Sequence, residues 1–155
     1  MDELLNYLKV MILSAVPIVE QRGAIPMGIF LYNFDPPVVF LISLLGSLLP
    51  VPFILLLFNS IFKWMENIKF LNKFYNFVDS KVRKGTGKVL KYEKIGLILF
   101  VAIPLPTTGL WTGSAIAAFL GFDFKKSLLY VFLGGLISAV IITAACMFLP
   151  SLFGY

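Results

Sequence analysis

Two charges stand alone in an apolar stretch: Glu20 and Arg22 are the only charged side chains between Lys9 and Asp35. In lipid such groups are costly and are usually paired or functional. The carboxylate can take up a proton or a cation, and the planar guanidinium suits an oxyanion such as a phosphate. Their two-residue separation misses the three- or four-residue spacing of helix neighbours, so direct contact between them needs an unwound backbone. Plainer readings stand beside this one, a structural pair or two side chains snorkelling to the interface. The second concentration of polar groups is Pro104-Leu105-Pro106-Thr107-Thr108-Gly109-Leu110-Trp111-Thr112-Gly113. It offers three hydroxyls, and an indole that is either a wall of a site or an interfacial anchor. A helix starting there aims its first amides and its positive dipole end at any nearby anion. The candidate substrate- or ion-binding residues are therefore Glu20, Arg22, Pro26, Pro104, Pro106, Thr107, Thr108, Trp111 and Thr112, with the prolines and the glycines around them shaping the backbone.

Other chemistry is poorly supported. Cys146 is the only cysteine and histidine is absent, which removes a disulfide framework, a zinc cluster and imidazole acid/base catalysis. No nucleophile and base recur together, so we expect no enzyme, no metal and no cofactor beyond a coupling ion, H+ or Na+. Cys146, among Ala144, Ala145 and Met147, reads as a small packing residue.

The elements that must hold these residues are membrane helices. Hydrophobic residues make up 59% of the chain and charged ones 14%, against about half and a quarter in soluble domains. The uncharged runs 36–62, 95–122 and 127–155 each exceed the roughly 20 residues needed to cross a bilayer as helix. No charged n-region precedes a short apolar stretch and a small-residue cleavage site, so no cleaved leader is expected.

Residues 4–19 give about 24 Å of helix, short for a bilayer core of about 30 Å. Pro17, Gly23, Pro26 and Gly28 then interrupt it, and the pattern reads helix, break, helix. Asn33-Phe34-Asp35-Pro36-Pro37 makes a turn whose prolines suit the start of a new helix, and Pro50 and Pro52 should bend the span that follows. The second half repeats the order, with a break at Pro104–Gly109, a short helix to Leu120, a turn at Gly121–Lys126 and a span from Ser127. A shift of 88 places Phe34-Asp35 on Phe122-Asp123 and Leu45-Gly46-Ser47-Leu48 on Leu133-Gly134-Gly135-Leu136; a shift of 87 places Pro17 on Pro104. Asp35 and Asp123 read as turn residues or helix caps.

Between Lys63 and Lys94 nine Lys/Arg face three acids, an excess that marks the cytoplasmic side. Apolar residues recur there at helical spacing, as in a basic helix lying on the membrane or packed on the transmembrane part. The net charge of +5 is therefore a matter of sidedness, and no nucleic-acid partner is expected. With 63–94 inside, a re-entrant 95–122 keeps Lys125 and Lys126 inside and gives the two halves opposite orientations; one kinked full span is the alternative. The expected fold is an all-α integral membrane domain over 1–155, an inverted repeat of two units, each a re-entrant hairpin (1–35; 95–122) plus one transmembrane helix (36–62; 123–149). A basic cytoplasmic amphipathic segment (63–94) joins them. Broken helices meeting at the midplane are where secondary transporters bind substrate and coupling ion.

Glu20-Gln21-Arg22-Gly23-Ala24-Ile25-Pro26-Met27-Gly28 and the 104–113 motif, in this order and at this spacing, resemble the two signatures of the small multidrug export family of prokaryotic membrane proteins. Thr107 stands where the family more often has glycine. The family is in turn similar to the DedA superfamily, which implies two opposed re-entrant hairpins and includes undecaprenyl phosphate translocases and lipid scramblases. Those proteins distribute carboxylates and arginines over both halves, whereas here both charges lie in the first. The resemblance implies a location in the prokaryotic plasma membrane. The leading expectation is a small secondary transporter, proton- or cation-coupled, moving an amphipathic or anionic substrate such as a lipid phosphate. The alternatives are a cationic multidrug exporter and a non-transporting membrane scaffold or assembly factor. Membrane lipids are expected partners. Two spans and two hairpins enclose little volume, so a homodimer is expected, with the small pairs at 46–47 and 134–135 allowing close helix contact within or between subunits.

Overall fold

The computed structural model describes residues 2–66, 94–105 and 108–152, and all regular structure among them is helical. The helices are α1 (Asp2–Ala15), α2 (Glu20–Phe30), α3 (Pro36–Leu48), α4 (Val51–Glu66), α5 over residues 94–102, α6 (Leu110–Phe119) and α7 (Phe124–Leu152). Among the described residues two helical stretches are long and apolar enough to cross a membrane, Pro36–Leu57 and Phe124–Phe148. Many large apolar side chains on them face outward, among them Leu41, Leu45, Phe53, Leu129 and Phe148. Outward-facing apolar residues are at home in lipid, where the backbone groups are satisfied inside each helix. Most of the expected basic segment, 67–93, lies outside the described residues, as do Pro106 and Thr107.

The first interruption is narrower than the proline and glycine pattern suggests. The chain leaves helix only at 16–19, and α2 runs on through Gly23, Pro26 and Gly28. Pro26 removes the donor that would have reached the Arg22 carbonyl, and the helix tolerates this single loss. Gly23 and Gly28 are needed for space. A Cβ on Gly28 would lie 2.6 Å from Val39 Cγ1 of α3, and one on Gly23 would lie 2.7 Å from Val19 Cγ1. Pro50 and Pro52 do more than bend the first span. They divide it into α3 and α4 at a turn over 49–50, with Pro52 in the first turn of α4, where the missing donor costs least.

α3 and α7 each begin just after a Phe-Asp pair. Asp123 caps α7, its Oδ1 accepting the Lys126 N–H at 3.1 Å. Asp35 holds the equivalent place without a side-chain cap bond; Pro36 and Pro37 lack amide donors, and the Val38 N–H bonds the Asp35 carbonyl at 3.0 Å instead of its side chain.

Among the described residues the core forms two clusters. Val39 and Leu44 of α3 pack with Ala139, Ile142 and Cys146 in the later part of α7, whereas Val51 and Leu55 of α4 pack with Leu110, Tyr130 and Val131. The first span and α7 therefore run antiparallel. The small pairs permit close approach inside the chain. A Cβ on Gly46 would enter the Ser14 hydroxyl and the Met11 carbonyl of α1, and one on Gly134 would lie 2.7 Å from the Ile98 carbonyl of α5.

Candidate functional site

The two breaks meet. Glu20 opens α2 with φ 45°, following Ile18 at φ 81°, and non-glycine residues in this region cost on the order of 1–3 kcal/mol each. The reason for the unusual backbone lies across the molecule. Glu20 is only 5% exposed, and its carboxylate reaches the N-terminus of α6. There Oε2 accepts the Leu110 N–H at 3.3 Å and Oε1 accepts the Trp111 N–H at 2.9 Å.

Gly109 precedes α6 and has no side chain with which to cap it. The acid ninety residues earlier does so instead, with its charge at the positive end of the helix dipole. Glycine is required at 109 for this approach, since a Cβ there would collide with Oε2 and lie 2.8 Å from the carboxyl carbon.

Arg22 serves the other side of the same break. Its guanidinium donates through Nη1 to the Leu105 carbonyl and through Nη2 to Thr108 Oγ1 at 3.1 Å. Thr108 Oγ1 in turn donates to the Ile103 carbonyl at 2.6 Å and accepts the Leu105 N–H at 3.2 Å. Ile103 and Leu105 are thus tied to one hydroxyl, and that hydroxyl and the Leu105 carbonyl are held by one arginine. Its position beyond the C-terminal end of α5 favours a cation, as the end of a helix dipole does. The two charges do not form an ion pair with each other. Each reaches the end of the second break that matches its sign.

Trp111 returns the contact. Its indole Nε1–H donates to the Ala15 carbonyl at 3.0 Å, at the end of α1, while its backbone N–H holds Glu20. One residue thereby clasps both ends of the 16–19 break.

Between these ties lies a pocket of about 270 Å³, open on one side, lined by Pro17, Ile18, Glu20, Arg22, Thr108, Trp111 and Thr112. Glu20, Arg22, Thr108, Trp111 and Thr112 come together from the set read in the sequence. Pro26 lies further along α2 and Pro104 is exposed on the turn, and neither lines the pocket. The α6 amides expected to await an anion are, in this state, occupied by Glu20. Among the described residues no group of three or more His, Cys, Asp or Glu could hold a metal ion.

Sequence reading overlooks Gln21 and Gly109 as site residues. Gln21 is fully buried, donates through Nε2 to the Gly135 carbonyl of α7 at 2.8 Å, and accepts the Ser47 hydroxyl of α3 at 3.2 Å. It locks the first turn of α2 so that its two charged neighbours point toward the second break. An amide between two charges in an apolar run is the available signal. For Gly109 there is none, since break-forming and space-making glycines look alike.

Residues 20–141 match the profile of the family described as "Putative small multi-drug export protein". No curated protein and no solved structure matches the chain.

Proposed function

The chain belongs to the small multi-drug export family, and from that premise we propose that it is a small secondary transporter whose substrate site is the pocket between the two breaks. The observation that carries this reading is the convergence of an acid, an arginine, two threonines and a tryptophan from both halves on one open cavity. Its size suits a headgroup rather than a whole lipid. The opening, beside the 93%-exposed Ile18, leaves an apolar tail free to lie in the bilayer. An amphipathic anion such as a polyprenyl phosphate is the substrate class we favour, with Arg22 as its recognition group and Glu20 exchanging a proton or cation during the cycle. Two opposed re-entrant hairpins in an inverted repeat, in a prokaryotic plasma membrane and working as a homodimer, complete the proposal. The antiparallel packing of the first span and α7 supports it.

A cationic drug is the rival substrate. Glu20 and Trp111 line the same wall, as a site for an organic cation requires. Proteoliposome flux of polyprenyl phosphate and of a cationic dye, side by side under an imposed proton gradient, separates the two. Arg22→Ala abolishes flux of the phosphate in the favoured reading, and Glu20→Gln abolishes flux of the dye in the rival. Absence of flux for both classes overturns transport.

A further inference from the structure

We propose that the Glu20–Trp111 contact is a proton-operated latch on this pocket, closed when the carboxylate is ionised and open when it is protonated. It regulates the site of the transport reading and depends on that reading only for its purpose.

When ionised, Glu20 presents two acceptor oxygens to two backbone donors, the N–H groups of Leu110 and Trp111. Protonation makes one oxygen a hydroxyl, a weaker acceptor whose own proton needs a partner, and removes the charge that suits a helix N-terminus. At least one of the two bonds is then weakened or lost. Residue 109 is glycine and offers no cap of its own to take over.

The loss reaches the pocket through two connections. Trp111 also holds Ala15 through its indole, so displacement of α6 frees the end of α1 as well. The 16–19 break is held with Ile18 at φ 81° and Glu20 at φ 45°, so it relaxes away from α6 once released. Pro17, Ile18, Trp111 and Thr112 line the pocket on the two sides of this seam, and parting them widens its mouth.

The charged surroundings leave Glu20 in control. Arg22, on the same helix, is the one other charged side chain lining the pocket among the described residues. No Asp, Glu, Lys or Arg occurs in α6, in α3 or at residues 103–105 and 108–109. The charges of α1 lie at Asp2, Glu3 and Lys9, that of α5 at its first residue, Lys94, those of α7 at Lys125 and Lys126, and α4 has none before Lys63.

The test uses the full chain in nanodiscs with Trp64→Phe, which leaves Trp111 as the sole indole of the two in the sequence. Acrylamide quenching of its fluorescence is followed as the pH is lowered stepwise from neutral into the acid range. The expected result is a rise of about two-fold in the quenching constant on acidification, as the open state becomes the major population. Glu20→Gln should show the acidic value at every pH. Gly109→Ala, which pushes the carboxylate off α6 without removing it, should give that value even at high pH and serves if the first variant does not fold. A flat wild-type profile, or a pH step that persists in Glu20→Gln, overturns the latch. Flux without a quenching step refutes the latch alone; a step without flux of any substrate refutes transport alone.

Discussion

Glu20 Oε1 accepts the backbone N–H of Trp111 at 2.9 Å, and the same tryptophan reaches back with its indole to Ala15, five residues before that glutamate. Each half of the chain therefore fastens the break of the other. Trp111 clasps 16–19, while Glu20 and Arg22 hold the two sides of the break between α5 and α6. A break inside a membrane domain leaves backbone groups that lipid cannot satisfy. Reciprocal fastening meets this need with three side chains, and it gathers polar groups from both halves at the two breaks.

Gly109, Gly121 and Gly96 should respond to alanine in different ways. At 109 the new Cβ runs into the Glu20 carboxylate, so overpacking and a lost charge-assisted bond together cost about 2–4 kcal/mol. At 121 space is open but φ is 70°, a conformation costing about 1 kcal/mol for a side chain. At 96, within α5, nothing lies within 4 Å, and alanine should stabilise by up to about 1 kcal/mol through helix propensity. Reversible unfolding of the three variants in mixed micelles measures this order, and an effect at 109 no larger than at 121 contradicts the close approach.

Gln21→Leu should destabilise by about 1–3 kcal/mol, because the apolar replacement leaves the Gly135 carbonyl and the Ser47 hydroxyl without this buried partner. Ser47→Ala should cost less, under about 1 kcal/mol, since Gln21 keeps its bond to Gly135 and the serine hydroxyl also bonds the Leu44 carbonyl of its own helix. The same unfolding measurement compares them. Equal losses would mean that the amide does not bridge α2 to α7.

The helical membrane architecture is legible in the sequence because apolar run length, charge-free windows and proline are local properties. The second interruption at Pro104–Gly109 is legible for the same reason. The first was harder to bound, since a proline that ends a helix at 17 looks like one that a helix absorbs at 26; packing of α2 on α1, α3 and α7 decides between them. The partners of the two charges are hidden for a different cause. Glu20 bonds amides at 110 and 111 and Arg22 bonds a carbonyl at 105, and a backbone group carries no side-chain signature. Two charges off helix spacing correctly argue against a simple i, i+4 pair, but residue type alone cannot show that each fits one side of a distant break.

Arg22 and Thr108 should be strongly coupled. The guanidinium bridges the Leu105 carbonyl and the threonine hydroxyl, and that hydroxyl also holds Ile103 and Leu105, so removing either residue loosens what the other was holding. A double-mutant cycle of Arg22→Ala and Thr108→Val should show about 0.5–2 kcal/mol of non-additivity, within the range for hydrogen bonds inside membrane proteins. Arg22→Lys should recover little of the loss, because an ammonium on a flexible stem cannot span both acceptors as a planar fork does. Thr108→Ser, by contrast, keeps the hydroxyl and should lie close to the wild type. If lysine restores stability as fully as arginine while Thr108→Val is silent, the charge alone matters at position 22, and the contacts of Ile103, Leu105 and Thr108 do not depend on the fork.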